Sequence, residues 1–158
     1  MTVEWIRSLT WDDVSGMSFD EREQIGRTIF TSITPFPHDF TRGKFDSYDV
    51  SVTAGTVTAN AEIKFRYIKR EKWDAMGYWL EKTKYDALMK AYEETGSIPL
   101  FYTFVRDGVG YRWDLRKLNP VWEMEYATET TADGQYGKNK VRKEVCHPFP
   151  KDAREIKW

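Results

Sequence analysis

Cysteine and histidine are almost missing from this chain of 158 residues: it has one of the first, Cys146, and two of the second, His38 and His147. A single thiol excludes an internal disulfide and makes a reducing cytoplasm the expected setting. Neither His38-Asp39 nor Cys146-His147 has the neighbours of a zinc site, which needs about four ligands at suitable spacing. Cys146 has no base beside it in sequence and reads as a packed thiol. No apolar run approaches the roughly 18–20 residues that span a bilayer, and no signal-peptide core opens the sequence. There is no glycine-rich loop to cradle phosphate and no serine nucleophile elbow. Nor is there an excess of positive charge. Lys and Arg number 24 against 25 Asp and Glu, a net charge of −1. That excludes a uniformly basic nucleic-acid coat but leaves room for local clusters. The two basic stretches, Lys64 to Arg70 and Lys138 to Lys143, read as solvated faces.

What the chain does have is aromatic area: 16% Phe, Trp and Tyr, including seven Trp and nine Tyr. These rings supply a core and also flat faces on which bases stack. Trp73, Tyr78 and Trp79 read first as core. The length suits one domain, residues 1–158, and neither repeat nor linker divides it. Ser18-Phe19-Asp20-Glu21 has capping-box spacing ahead of Ile25, Gly26, Ile29, Phe30 and Ile33, the pattern of an amphipathic helix that Pro35 and Pro37 end. Residues 36–44 read as loop or irregular strand, and a hairpin occupies about 45–68. A second helix begins between Trp73 and Trp79 and ends at Thr95, with Gly96 at its C-terminal cap. Leu100 to Val105 and Val109 to Leu115 form strands turned at Asp107-Gly108. Asp133 to Gly137 reads as an exposed loop and Val141 to Cys146 as a further strand. The order predicts an α+β fold, a central mixed or antiparallel sheet flanked by helices.

The hairpin carries the chemistry. In Val57 to Phe65, alternation puts Val57, Ala59, Ala61, Ile63 and Phe65 on one face and Thr58, Asn60, Glu62 and Lys64 on the other. Glu62 and Lys64 therefore project side by side, roughly 7 Å apart along the strand. Asp49 alternates against Val50 and Val52, so it joins them on the polar side. Hard divalent cations such as magnesium or manganese take one or two carboxylates plus water and substrate phosphate. Such an ion polarises a phosphoryl oxygen and lowers the pKa of bound water. A lysine beside it orients that water or offsets charge developing on phosphorus. Without an ion, the same three groups would be an ion-pair cluster of small energetic value.

Asp49, a short hairpin, Glu62-Ile63-Lys64, a following helix and a further strand resemble the PD-(D/E)XK nuclease superfamily, the restriction-endonuclease-like fold. Tyr48 stands where that motif often has proline. The resemblance implies a core of about residues 18–115 with a C-terminal extension, 116–158. It implies that Asp49, Glu62 and the Ile63 carbonyl hold the metal and that Lys64 serves catalysis. Glu21, in a Glu-Arg-Glu context at the start of the first helix, looks similar to a helper glutamate of archaeal Holliday-junction resolvases; it is also the capping-box acid. Lys84, on the helix after the motif, is the candidate for a further basic helper, or else a surface partner of Glu81. The implied activity is metal-dependent hydrolysis of DNA phosphodiesters, structure-selective or of phage type. A homodimer would suit cutting both strands. The alternative is a non-catalytic nucleic-acid- or protein-binding module on the same fold. Glu155-Ile156-Lys157 repeats the triplet's letters without a partner acid on a preceding strand, and reads as a surface tail.

Overall fold

The computed structural model describes residues 1–43, 46–130 and 135–158, and of residues 126–130 and 135–141 only the backbone course. Three helices open the chain, each started by a hydroxyl side chain that accepts from a free backbone N–H. They are α1 (Val3–Ser8) after Thr2, α2 (Trp11–Ser15) after Thr10 and α3 (Phe19–Ile33) after Ser18. At α3 the expected capping box is complete. Glu21 N–H donates to Ser18 Oγ at 3.2 Å and Ser18 N–H donates to Glu21 Oε2 at 2.7 Å. Ile25, Ile29 and Phe30 are buried along one stripe of α3. Gly26 lies on the same stripe, where an added Cβ would meet Ile63 Cγ2 at 3.1 Å. The missing side chain lets the helix lie close on the sheet.

Among the described residues that sheet has six strands in the order β1-β2-β3-β5-β6-β9. They are β1 (His38–Phe40), β2 (Val50–Ala54), β3 (Val57–Arg66), β5 (Ile98–Val105), β6 (Val109–Asp114) and β9 (Arg154–Lys157). Only β3 and β5 run parallel; their register sets Glu62 against Phe101 and Lys64 against Thr103. The other pairs are antiparallel, so the fold is α+β around a mixed sheet. Parallel neighbours need a long crossover, here α4 (Arg70–Met76), β4 (Leu80–Glu81) and α5 (Lys82–Thr95). Alternation divides the two faces. Ala61, Ile63, Tyr102 and Phe104 join α1 to α3 in one core, whereas Phe101, Val105, Tyr111 and Trp113 pack with Tyr78, Leu80 and Leu88 in the other.

Several expectations are corrected. The single helix expected up to Thr95 is two, broken where Gly77 takes φ +78°. A Cβ there would also sit 2.8 Å from His147 Cβ, so only glycine turns the chain at that point. A second sheet, β4-β8-β7, is built from β7 (Glu123–Thr130) and β8 (Gln135–Cys146). Gln135 to Gly137 therefore belong to a strand, while Asp133 and Gly134 lie outside the described residues. The supposed surface tail is β9, the sixth strand of the main sheet. Ile156 packs against the α3 core, and the buried Trp158 donates its indole N–H to Val109 O at 3.0 Å. Its charged letters suit an edge strand, where such side chains oppose further pairing. Nor is the whole basic run 64–70 a solvated face, because Lys64 and Arg66 are half-buried. Tyr78 is core, as expected of it.

Candidate active site

Asp49 sits one residue before β2, beside the point where β3 outruns its neighbour. Its backbone is held from both sides: Asp49 N–H donates to Ala61 O at 2.9 Å, and Thr41 N–H donates to Asp49 O at 2.9 Å. The Ile63 amide, past the last β2 partner, needs an acceptor. Asp49 Oδ2 supplies it at 2.7 Å. The carboxyl is buried, and burial together with the charge of Glu62 pushes its pKa up to about 7. The Ile63 N–H, Lys64 and Lys84 offset only part of that rise.

Glu62 is fully buried. Among the described residues no backbone N–H or hydroxyl donates to either of its oxygens. Each oxygen instead faces an ammonium group: Lys64 Nζ lies 2.8 Å from Oε1 and Lys84 Nζ lies 3.4 Å from Oε2. A buried carboxylate left without such cations would be strongly unfavourable. Burial works against the charge of Lys64 too, but Glu62, helped by Asp49, outweighs it and the lysine pKa is raised. Lys84 reaches the site from α5 and is fixed by donating to Asp46 O at 2.8 Å. It does not pair with Glu81. That acid binds Lys143 at 2.9 Å, which keeps its carboxyl below the usual range although burial opposes this.

Asp49, Glu62, Lys64 and Lys84 are thus brought together from the residue preceding β2, from β3 and from α5. The Ile63 carbonyl stands in the chain between the acid and the lysine. Glu21 makes its contacts elsewhere: it is exposed, its carboxylate closes the α3 cap, and that helix packs on the opposite face of the sheet. Among the described residues no contact joins it to Asp49, Glu62 or Lys64. A divalent cation suits this donor set on physical grounds. Two buried carboxyl groups stand close enough for one to raise the other's pKa, and the more buried one is balanced by the ammonium groups of Lys64 and Lys84 alone among the described residues.

A separate cluster escaped sequence reasoning. On β7, Glu123 and Glu125 share a face, and His147 follows β8; their ligand atoms lie within 4.8 Å of one another. His147 Nε2 is 3.6 Å from Glu123 and 3.8 Å from Glu125. Three such donors suit a metal ion as well as an ion pair. The Glu-x-Glu alternation was the available signal, but it needed β7 to be read as a strand. A cleft of about 460 Å³, lined in part by Leu118, Pro120, Val121 and Phe149, opens beside Glu123 and His147, away from Glu62. Burial pushes the Cys146 thiol up to about 11, which makes it a poor nucleophile.

No family model matches this chain, and no curated protein does. Among solved structures it is similar to Hjc of Archaeoglobus fulgidus, a Holliday junction resolvase from an archaeal hyperthermophile. The TM-score is 0.54 at 11% identity, over 86% of this chain and 92% of that one. At that identity the likeness is one of fold, and the fold is restriction-endonuclease-like.

Proposed function

We propose that this chain, taken as one nuclease-like domain over residues 1–158, is a metal-dependent endonuclease that hydrolyses DNA phosphodiesters. The observation that carries the reading is Glu62, a fully buried carboxylate held by two lysines next to a second buried acid. An ion-pair cluster that served only stability would gain little from such a place, because desolvation offsets the attraction. Asp49, Glu62 and the Ile63 carbonyl would hold magnesium or manganese. When bound, that ion supplies Lewis acidity toward a phosphoryl oxygen and a more acidic water. The chain's own residues do the rest. Asp49 would have to give up its proton to serve as a ligand, so binding would strengthen as pH rises through about 7. Lys64, with 26% of its side chain exposed, faces both Glu62 and solvent. From there it orients the attacking water and offsets charge growing on the phosphate. Lys84 holds Glu62 from the helix side.

The name of the Hjc neighbour supports a four-way DNA junction as the first substrate to try, ahead of duplex and single strands. Purified protein with magnesium is expected to cut at least one of the three, and chelator to stop it. Lys64→Ala is expected to keep metal binding and lose about 10²-fold or more in rate, as for removal of one electrostatic contact to the transition state. Wild-type activity in that variant would exclude Lys64 from the chemistry. Binding of a junction without any cutting would favour the non-catalytic module.

A further inference from the structure

Arg66 is the next residue after Lys64 on the same face of β3, about 7 Å farther along the strand. Its guanidinium lies over the Trp73 ring, 5.6 Å from the centroid. Trp73 stacks in turn on the buried Tyr78, with centroids 5.8 Å apart and planes at 23°. The arginine is therefore held by a flat aromatic surface, and burial lowers its pKa against the pull of Glu81 and Glu62. Both acids already have partners. Glu81 binds Lys143, and Glu62 faces Lys64 and Lys84. Among the described residues no carboxylate lies within ion-pair distance of Arg66 and no acceptor takes its N–H groups. The residue is half-buried. Trp73 Nε1 beneath its guanidinium is buried and also lacks an acceptor. Arg66 is thus a positioned fork without a protein acceptor among the described residues. Lys64, Arg66, Lys84 and Lys143 stand here with Asp49, Glu62 and Glu81, a local cluster of basic groups in a chain that is slightly negative as a whole.

We infer that Arg66, supported by Trp73, is a binding subsite for a backbone phosphate of the DNA strand whose neighbouring phosphodiester lies at Glu62 and Lys64. This rests on the nuclease reading for the identity of the anion. The guanidinium fork matches two phosphate oxygens at once, which a lysine cannot do. Holding the adjacent phosphate fixes the strand's position along β3 without reading sequence. Arg66 is a binding and positioning residue and takes no proton.

The test uses the full chain and a labelled four-way DNA junction with its matching duplex, titrated in chelator over a range of salt. Arg66→Gln is expected to weaken binding about tenfold or more. It should also reduce the slope of log affinity against log salt by about one phosphate's share, roughly 0.9. Arg66→Lys should keep the slope and lose affinity, since it keeps charge without the fork. With magnesium, Arg66→Gln should raise KM more than it lowers kcat, whereas Lys64→Ala does the reverse. A folded Arg66→Gln with wild-type affinity and slope overturns the subsite while leaving the nuclease reading intact. DNA binding that depends on Arg66 in a wild-type protein that cuts nothing upholds the subsite and removes the nuclease. Should Arg66→Gln fail to fold, Arg66→Lys decides: wild-type affinity and KM in that variant overturn the fork.

Discussion

Asp49 holds its proton to a higher pH than a carboxyl in water because it is buried beside Glu62, and this has a consequence for stability. Below about pH 4 the folded and unfolded chains both carry the proton. From there to about pH 7 the unfolded chain loses it while the folded one keeps it. Stability of the metal-free protein therefore falls across this window and levels off above it, a loss on the order of a few kcal/mol. Asp49→Asn keeps an oxygen for the Ile63 amide and removes the titration. With chelator present, the variant is expected to melt near the wild type at pH 4 and well above it at pH 8. Equal melting temperatures at pH 8 would mean that Asp49 ionises freely. The sequence placed Asp49 on the polar side of the hairpin but could not reveal that this side is roofed over. Lys84 was legible as an inward-leaning lysine, but its hold on Asp46 O and Glu62 depends on where α5 docks.

At the scale of elements, local signals were read well wherever chemistry is local. The α3 cap, the turn at Gly108 with φ +77° and the β2–β3 hairpin at Gly55 with φ +63° follow from the residues in them. Gly77 was passed over because a glycine between helix-like stretches carries no mark of the close contact with His147 that makes it necessary. The last strand was passed over for a similar reason. Arg154 to Lys157 is charged and short, and its value comes from β6 and from Trp158, which is buried against distant residues. Trp158→Ala is expected to cost about 3 kcal/mol, the range for removing a buried large aromatic. Urea unfolding measures it. A loss below about 0.5 kcal/mol, usual for an exposed position, would return this segment to the status of a tail. Arg70, which bridges Glu155 and Asp74, ties the same strand to α4.

For the whole molecule, the site is a product of one crossover. β3 leaves the hairpin, α4, β4 and α5 pass over one face, and β5 returns parallel to β3. Glu62 is sealed by that passage. A cation that binds only the folded chain raises its stability by mass action, about 2.7 kcal/mol at a hundred times the dissociation constant. Magnesium or manganese is expected to raise the melting temperature of the wild type and of His147→Ala, but not of Asp49→Ala or Glu62→Ala. The opposite pattern would assign the ion to Glu123, Glu125 and His147. No helix of the described residues is long and apolar enough to cross a membrane.

By itself the sequence determined which side chains stand together on a strand. A period of two residues puts Glu62, Lys64 and Arg66 on one side of β3 and Ala61, Ile63 and Phe65 on the other, whatever the strand packs against. It determined the capped start of α3 and the α+β order in the same way, because backbone geometry links neighbours directly. Only the tertiary structure decided which of those faces is buried. Alternation of polar and apolar residues predicts a wet polar face, yet the Glu62 face lies under α5, and Lys84, 22 positions away, replaces the water that Glu62 loses. That contact, like the pairing of Trp158 with Val109, joins residues whose separation in the chain leaves no local pattern. Their meeting depends on how the crossover docks as a whole, so it is absent from any window of sequence read alone.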